Sequence, residues 1–334
     1  MIQDPVLIND WHPVAAISQF NSQPIISVRL LGEDLVLWKL GNQYMAWQDL
    51  CIHRGAKLSG GKIVNEYLQC PYHGWTYNSN GLCVKIPAHP EQMPPTKAKV
   101  KTYLAKEKYD MLWVCLGKPA NDIPPFPEWE QNGYTWAVCD PIAHVPAHGP
   151  RIIENFLDAA HFPFVHEGVL GDQNHPEMED FNVSVGANGV ESEPVYIYQP
   201  AQYGAQGGGK VSYIYRAFRP FTAHMTKHVP AGWWGKDAPS ATHGLMLTLT
   251  PHDELDTTVW FLISSTMWTD PEVLQREYTK RITDIFEEDR AIVISQRPEL
   301  LPLDLQAELH LKSDRVAIAY RTWLKELGLK FGTA

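Results

Sequence analysis

Cys51-Ile52-His53 and Cys70-Pro71-Tyr72-His73 together form the pattern C-x-H-x16-C-x2-H. Each cysteine is followed two or three positions later by a histidine, and a glycine comes soon after each histidine, at Gly55 and Gly74. Thiolate sulfur and imidazole nitrogen are good ligands for zinc and iron. The two pairs therefore predict a metal site.

This donor set is that of a Rieske [2Fe–2S] cluster, in which two cysteines hold one iron and two histidines hold the other. Imidazoles in place of thiolates make the site less negative and raise its reduction potential, which suits an electron relay. A structural zinc site is the alternative, although its ligands usually occur as C-x2-C and H-x3-5-H pairs. The pattern therefore favours Cys51, His53, Cys70 and His73 as cluster ligands.

The composition is that of an ordinary globular protein, with 44% hydrophobic and 20% charged residues among 334. The net charge is −10 and there is no long basic run, so neither nucleic acid nor an anionic membrane is expected as a partner. We expect a cytoplasmic protein, since no apolar stretch reaches membrane-spanning length and MIQDPVLIND lacks the pattern of a signal peptide. The cysteines outside the cluster pattern, Cys83, Cys115 and Cys139, are expected to be buried free thiols.

The first part of the chain has the pattern of a small all-β module. Its β-rich runs lie at residues 25–31, 34–40, 43–48, 68–70, 74–77, 82–86 and 109–116. A proline-rich segment at 119–127 cannot continue regular structure. We therefore predict two domains, residues 1–120 with the cluster and residues 121–334 beyond it.

The second part mixes strands and helices. Strands are predicted at residues 183–198, 210–219, 243–251 and 257–267. The longest helical pattern covers 271–296, and an amphipathic helix with a serine cap is predicted at 313–327. Strands followed by a long helix that packs across them predict an α+β arrangement.

A second group of metal ligands is predicted between residues 154 and 168. Asn155, Asp158 and His161 are each three residues apart, so on a helix they share one face. His166 lies five residues after His161, which on an ideal helix points it elsewhere, but Pro163 lies between them and must break or kink the helix. Such a kink would bring the two imidazoles together. With one carboxylate they would form the 2-His-1-carboxylate triad of non-haem Fe(II) oxygenases.

The long C-terminal helix offers that carboxylate. Asp289 falls on the helix's apolar stripe, which consists of Tyr278, Ile282, Ile285, Ile292 and Gln296. A carboxylate on a core-facing stripe is costly unless it is paired or bound to a metal. A buried ion pair with Arg281 or Arg290 is the alternative to metal ligation. Glu287 and Glu288 lie off the stripe and are expected to face solvent.

In these motifs the chain resembles the Rieske non-haem iron oxygenases. The resemblance rests on C-I-H-R-G at 51–55, C-P-Y-H-G-W at 70–75, E-N-F-L-D-A-A-H-F-P-F-V-H-E-G at 154–168 and F-E-E-D at 286–289, in the order of the family. It implies an N-terminal Rieske domain, a C-terminal helix-grip catalytic domain with an antiparallel sheet and a long helix, and a head-to-tail homotrimer.

The resemblance also implies roles for individual residues. His161, His166 and Asp289 match the ligands of a mononuclear iron. Asp158 matches the acid that connects a cluster histidine of the neighbouring subunit to an iron ligand and so carries electrons across the interface. Asn155 matches a position beside the iron whose role varies in the family.

The resemblance is greatest to the short, α-only members, which include the vanillate, dicamba and methylxanthine demethylases and the saxitoxin-tailoring oxygenases. It implies hydroxylation, or N- or O-demethylation, of a small polar substrate, with O2 and with electrons from NAD(P)H supplied through a separate reductase or ferredoxin. The segment 313–328 favours a nitrogen-rich substrate. The alternatives are a cis-dihydroxylating ring dioxygenase, and a Rieske electron-transfer protein whose second domain binds a ligand without catalysis.

The walls of a substrate pocket are expected from the strands between residues 195 and 270. The candidates are Tyr213, His224, Trp233, Trp234 and Trp260.

Overall fold

The computed structural model describes residues 2–200, 208–233 and 235–334. It divides into two compact units, one of residues 1–123 with 251–253 and one of residues 124–250 with 254–334. Helices and antiparallel strands both contribute, which confirms the α+β class. Within the described residues, none of the helices is long and apolar enough to cross a membrane.

The first unit is built almost entirely from strands. Its elements are α1 (Pro5–Ile8), β1 (His12–Ala16), β2 (Ile25–Leu30), β3 (Glu33–Leu40), β4 (Gln43–Gln48), β5 (Lys62–Val64), β6 (Tyr67–Gln69), β7 (Thr76–Tyr77), β8 (Cys83–Lys85), β9 (Thr102–Lys108) and β10 (Met111–Cys115). One antiparallel sheet has the order β1-β10-β9-β4-β3-β2, and a smaller one has the order β5-β6-β7-β8.

The hairpin of β3 and β4 shows why these residues form strands. Leu40 pairs with Gln43 across a two-residue turn, and Gly41 adopts a φ of +56°, which glycine accepts without strain. Val36 and Trp38 of β3 and Met45 and Trp47 of β4 all pack into one buried cluster. The predicted strands at 34–40 and 43–48 are confirmed.

The second unit is an antiparallel sheet with helices packed against it. Its strands are β11 (Thr135–Val138), β12 (Ile142–Val145), β13 (Val183–Gly186), β14 (Gly189–Ser192), β15 (Val195–Gln199), β16 (Gly209–Arg219), β17 (Thr222–Val229), β18 (Ala241–Asp253) and β19 (Asp256–Ser265). The order is β11-β19-β18-β17-β16-β14-β13, with β12 paired to β19 and β15 paired to β16. The run predicted as one strand at 183–198 is three strands, and the sequence analysis missed β17.

The helices of this unit are α2 (Gly149–Leu157), α3 (Phe162–Val165), α4 (Pro271–Ser295) and α5 (Arg315–Leu327). The N-cap of α4 is Asp270, whose Oδ1 accepts hydrogen bonds from the backbone N–H groups of Glu272 and Val273. The predicted serine cap of α5 is wrong, because a 3-10 turn (Lys312–Asp314) precedes the helix and its N-cap is Asp314. Helix α4 packs on β11 and β19 and also contacts α2.

The segment after α2 differs from the prediction. The helix ends at Leu157, and Asp158 has extended backbone angles, so Asn155, Asp158 and His161 do not share one helical face. The Asp158 carboxylate accepts a hydrogen bond from the backbone N–H of Ala160 at 2.8 Å. A local bond of this kind competes with helix continuation. Pro163 lies in the first turn of α3, where its missing N–H costs little, so it does not kink a continuous helix.

Candidate metal centres and substrate pocket

The two loops with the Cys and His pairs repeat one backbone turn. The backbone N–H of Gly55 donates to the carbonyl of Cys51 at 2.8 Å, and Gly74 donates to Cys70 at 3.2 Å. Both glycines have a positive φ, +72° and +69°, which strains residues with a Cβ. The first loop follows β4 and the second connects β6 to β7. The glycines noted in the sequence therefore shape both halves of the site.

The side chains of these loops converge. Cys51 and Cys70 are buried, and the His53 and His73 ring centroids are 4.6 Å apart. In the described part of the chain, His53 Nδ1 has neither solvent access nor a hydrogen-bond partner. A buried imidazole nitrogen without a partner is costly unless it binds a metal. Burial also raises the pKa of the Cys70 thiol, so a thiolate here needs a cation beside it. These four donors fit a metal cluster.

Two neighbouring aromatic side chains support this site. Trp75 stacks on the His53 ring with an interplanar angle of 4° and a centroid distance of 4.4 Å. The Tyr77 hydroxyl lies 3.1 Å from Cys51 Sγ. The imidazole is thus held in one orientation, and the sulfur has a polar neighbour.

The second site brings His161, His166 and Asp289 together, with one ligand atom from each within 4.8 Å of the others. His161 Nε2 lies 3.3 Å from Asp289 Oδ1, and His166 Nε2 lies 3.1 Å from the same oxygen. Both Nε2 atoms are buried and have no hydrogen-bond partner among the described residues. Two orphaned imidazole nitrogens that face one carboxylate fit the 2-His-1-carboxylate ligand set of non-haem iron.

Two helices, α3 and α4, position these ligands. His161 is the residue before α3 and His166 is the residue after it, so one short helical turn brings the two ring centroids to 5.1 Å. Asp289 is buried on α4. The two histidines therefore lie close together because α3 is a separate short helix. The expected kink of one continuous helix at Pro163 is not the cause.

The other nitrogen of each histidine is held by a carboxylate. His161 Nδ1 lies 3.1 Å from Asp158 Oδ2, and His166 Nδ1 lies 2.6 Å from Glu288 Oε2. A proton held on Nδ1 leaves Nε2 as a lone-pair donor, which is the usual arrangement behind metal-binding histidines. Glu288 is exposed, as expected, with 48% of its side chain accessible, and its contact with His166 is a further role that the sequence did not indicate.

Asn155 also belongs to this site. Its Nδ2 donates to Asp289 Oδ1 at 3.2 Å, which orients the carboxylate. The alternative ion pair between Asp289 and Arg290 does not occur among the described contacts, where Arg290 pairs with Glu287 at 3.0 Å and donates to the carbonyl of His144.

The electrostatics of these residues agree with this arrangement. Burial disfavours the charged form of Asp289, but the nearby imidazoles of His161 and His166 outweigh it and lower the pKa to about 2. Burial opposes the charged form of His161 as well, yet Asp158 and Asp289 raise its pKa to about 9. The site therefore holds a surplus of negative charge that suits a cation.

A cavity extends from this triad into the sheet. Alternate residues of the strands face it, as the two-residue period of a strand requires; they include Tyr213 and Tyr215 of β16, Met225 and Val229 of β17, and Leu245 and Leu247 of β18. Phe162, Phe261 and Phe286 add an aromatic wall. The lining is thus mainly apolar, as in most small-molecule sites.

The pocket candidates from the sequence have mixed outcomes. Tyr213 and Trp233 line the cavity. His224 instead bonds Glu128 at 2.8 Å, and Trp260 donates to Thr250 at 2.7 Å, so the pocket roles expected for these two are wrong. Trp234 lies outside the described residues.

The sequence analysis missed the cationic lining residues, Lys227 of β17 and Arg281 of α4. Lys227 follows Met225 and precedes Val229 at intervals of two residues, so the alternation was present in the sequence once β17 is known to be a strand. Arg281 precedes the buried Ile282 on α4. Its position in the helical repeat does not distinguish an arginine that lines a cavity from one that is exposed to solvent.

Comparisons with known proteins agree with this geometry. Residues 10–104 match the Rieske [2Fe-2S] domain, and residues 145–330 match the vanillate O-demethylase oxygenase C-terminal domain. The chain is 32% identical to the methylxanthine N1-demethylase NdmA of Pseudomonas putida, over 95% of this chain and 88% of that protein. The solved structure of Pseudomonas putida CBB5 NdmA matches with a TM-score of 0.77 and 30% identity, over 96% of this chain and 90% of that one.

A further match concerns the cluster domain. A stretch of 117 residues, 34% of this chain, is 35% identical to the oxidoreductase NdmD of Pseudomonas putida, of which it covers 20%. The Rieske match supports the iron–sulfur interpretation over structural zinc. The chain therefore belongs to the Rieske non-haem iron oxygenases, and it is an oxidoreductase whose cofactors are a Rieske [2Fe–2S] cluster and non-haem iron.

Proposed function

We propose that this protein inserts one oxygen atom from O2 into a C–H bond of a small substrate, and that His161, His166 and Asp289 hold the iron at which this occurs. The observation that carries the proposal is that these ligand atoms converge in the lining of a mainly apolar cavity. With iron bound, this ligand set leaves open positions for dioxygen chemistry. Two electrons and two protons reduce the second oxygen atom to water.

The residues around the proposed iron ligands have different roles in this reaction. Asp158 and Glu288 keep protons on the Nδ1 atoms of the two histidines, so that both Nε2 atoms remain donors. Asn155 holds the Asp289 carboxylate in place. The aromatic wall excludes water from the reacting carbon. Where that carbon is a methyl group on nitrogen or oxygen, the hydroxylated product releases formaldehyde, and the reaction is a demethylation.

The electrons arrive through the cluster at Cys51, His53, Cys70 and His73. Their source is a separate reductase that oxidises NAD(P)H, as the similarity to NdmD supports. We further propose that the cluster domain ends near residue 120, that the enzyme is a homotrimer, and that Asp158 carries electrons between subunits. A cytoplasmic location is supported by the cysteines outside the cluster, Cys83, Cys115 and Cys139, which are buried thiols without a disulfide.

Among the relatives compared, nothing favours a ring dioxygenase or a pure electron carrier. The similarity to NdmA supports demethylation as the first reaction to examine. The substrate body is expected to be aromatic or heteroaromatic, because Phe162, Phe261 and Phe286 face the cavity.

The test is the iron content of the Asp289→Ala variant. Wild-type protein should bind about three irons per chain, and the variant about two, because the cluster alone contains two. The visible spectrum of the cluster should persist while substrate-dependent O2 consumption and formaldehyde release are lost. Glu287→Ala, on the neighbouring exposed position, is the control and should retain all three irons. A wild-type content of two irons per chain would contradict the proposal.

A further inference from the structure

We propose that His243 is a specificity-determining residue whose Nε2–H group donates a hydrogen bond to an uncharged acceptor atom of the substrate, a carbonyl oxygen or an imine-type ring nitrogen. Ser265 is its positioning residue, because it fixes which ring nitrogen of His243 carries the proton. This inference rests on the proposed function, since it describes how the same cavity selects its substrate.

The first argument is the place of His243 in the cavity. On β18, His243, Leu245 and Leu247 follow one another at intervals of two residues and all line the cavity, so they share one face of the strand. The His243 residue is only 6% exposed. The imidazole is thus a buried polar group in a mainly apolar wall, where a hydrogen bond that is not made is costly.

The second argument is the charge state of this imidazole. Burial lowers the pKa of His243, and nearby charges, first that of Lys227 directly opposite on β17, lower it further to about 3. The ring is therefore neutral near neutral pH, and one of its nitrogens is a donor while the other is an acceptor. A neutral ring of this kind distinguishes acceptors from donors on a ligand.

The third argument is the hydrogen-bond network at Nδ1. Ser265 Oγ and the Tyr278 hydroxyl each lie 2.9 Å from His243 Nδ1. The backbone N–H of Met267 donates to Ser265 Oγ at 3.1 Å. Ser265 is fully buried, and within the described residues Nδ1 is the acceptor that its hydroxyl proton can reach. The network is satisfied only if Ser265 donates to Nδ1.

The tautomer of His243 follows from this network. Because the lone pair of Nδ1 accepts from Ser265, the proton of the neutral ring is on Nε2. Both hydrogen-bond contacts of the ring in the described part of the chain are at Nδ1, so Nε2–H is the donor that the cavity wall offers to a ligand. An apolar group in its place would leave this donor unpaired, and a ligand N–H would oppose it.

Binding to the iron-loaded protein, measured by calorimetry in the absence of reductase, tests the inference. The probes are two pairs of equal shape, 4-methoxyacetophenone with 4-isopropenylanisole, and 6-methoxyquinoline with 2-methoxynaphthalene. In each pair only the first compound has the acceptor atom. We expect the acceptor of at least one pair to bind about tenfold or more tightly than its partner. The pair that shows the preference distinguishes a carbonyl oxygen from a ring nitrogen.

Variants of His243 locate the donor. His243→Leu should abolish the preference while the affinity for the compound without the acceptor stays the same. His243→Gln, which keeps an N–H group at about the distance of Nε2 from the backbone, should retain more of the preference than His243→Leu. His228→Leu is the matched control, since His228 is an exposed histidine that also contacts a hydroxyl, that of Thr242 at 3.1 Å, and it should bind all four compounds as wild type does.

Ser265→Ala tests the positioning role. Without the serine proton, Nδ1 can carry the hydrogen and donate to the Tyr278 hydroxyl, so the preference for the acceptor should decrease. The affinity for the compound without the acceptor should not change, whereas a merely structural loss would weaken both. Equal affinities within both pairs, an undiminished preference in His243→Leu or in Ser265→Ala, or no binding of any compound would overturn the inference.

The same measurements separate this inference from the proposed function. A preference that depends on His243, in a protein that with reductase consumes no O2 on any probe, would support the donor and contradict the oxygenase assignment. O2 consumption that depends on a probe, with equal affinities within each pair, would do the opposite.

Discussion

At the scale of single residues, two carboxylates contact the Nδ1 atoms of the proposed metal-binding histidines: Asp158 contacts His161 and Glu288 contacts His166. Asp158 is about a third exposed and Glu288 about half exposed, yet each contacts the Nδ1 atom of a histidine whose Nε2 atom is buried. These contacts hold the histidine tautomer that metal binding requires.

We expect Glu288→Gln to weaken iron binding at the mononuclear site by about 10- to 100-fold, because His166 loses a charged partner at 2.6 Å. The measurement is the rate and extent of iron loss to a chelator. Glu287→Gln is the matched control, since Glu287 precedes Glu288 directly and pairs with Arg290. Equal iron retention in the two variants would show that Glu288 has no role at the metal.

With iron supplied in excess, so that both metal sites stay filled, Asp158→Ala should lower turnover by about 100-fold, the upper range for a lost partner of a metal ligand. The expected reason is that Asp158, which bonds His161 Nδ1 at 3.1 Å, connects the iron site to the electron supply. Iron content and the rate of single-turnover oxidation of the reduced cluster are to be measured together. Normal turnover in the variant would exclude the relay role.

The pKa of Lys227, about 7 because of burial and the charge of Arg281, predicts a pH dependence. The ammonium form, which donates to Gln199 Oε1 at 2.8 Å in the cavity wall, predominates below this pKa, so kcat/KM should fall as the pH rises through about 7 and this contact weakens. Among the groups that line the same cavity, His243 stays neutral, because burial and the two cations lower its pKa to about 3. Burial raises the pKa of Tyr213, and Tyr278 bonds His243 at 2.9 Å.

Lys227→Arg is the variant that checks this assignment. A guanidinium remains protonated where an ammonium in the same place does not, so the fall in kcat/KM should move to higher pH in the variant. An unchanged profile would assign the ionisation to another group.

At the scale of elements, a buried ion network fixes α2 against α5. Glu154 of α2 accepts from Arg321 of α5 at 2.8 Å, and Arg321 also bonds Glu308 at 2.6 Å. Arg151 bonds Glu308 at 2.8 Å from the other side. Since α2 ends just before Asp158, this network also positions the segment that carries the metal ligands.

Arg321→Met should destabilise the protein by about 3 kcal/mol, because Glu154 keeps its buried charge but loses its main partner. Urea unfolding monitored by circular dichroism measures the change. As a control, Arg276→Met removes an exposed pair with Glu277 and should cost less than about 1 kcal/mol. A similar loss in both variants would mean that the buried network contributes no more than a surface pair.

At the scale of the whole molecule, the proposed trimer makes a prediction about electron flow. Asp289→Ala lacks the mononuclear iron and Cys70→Ser lacks the cluster, so each variant alone should be inactive. If electrons cross between subunits, co-expressed variants should regain about a quarter of the wild-type rate, because about one interface in four pairs an intact cluster with an intact iron site. Mixed trimers, verified by mass, that remain inactive would contradict transfer between subunits.

Whether a feature of the fold or of the site could be predicted from the sequence depends on how far apart in the chain the interacting residues lie. The cluster ligands were predicted from spacing, because the turns that end at Gly55 and Gly74 are local and need a glycine at a fixed offset. Asp289 was predicted because a carboxylate on an apolar helical stripe is conspicuous. The α+β class followed from β-rich runs such as those of β3 and β4, together with the long helical pattern that comes after the strands.

The sequence by itself determined which side chains are available to bind metals, and the order of the motifs was sufficient to recognise the family. Only the tertiary structure decided that Glu288 supports His166, that His224 and Trp260 belong outside the pocket, and that Lys227 and Arg281 meet in one cavity. The physical reason is that ligand spacing is encoded within a loop or one helical turn. Charge complementarity in a pocket instead depends on strands and helices that lie far apart in the chain and are brought together only by packing.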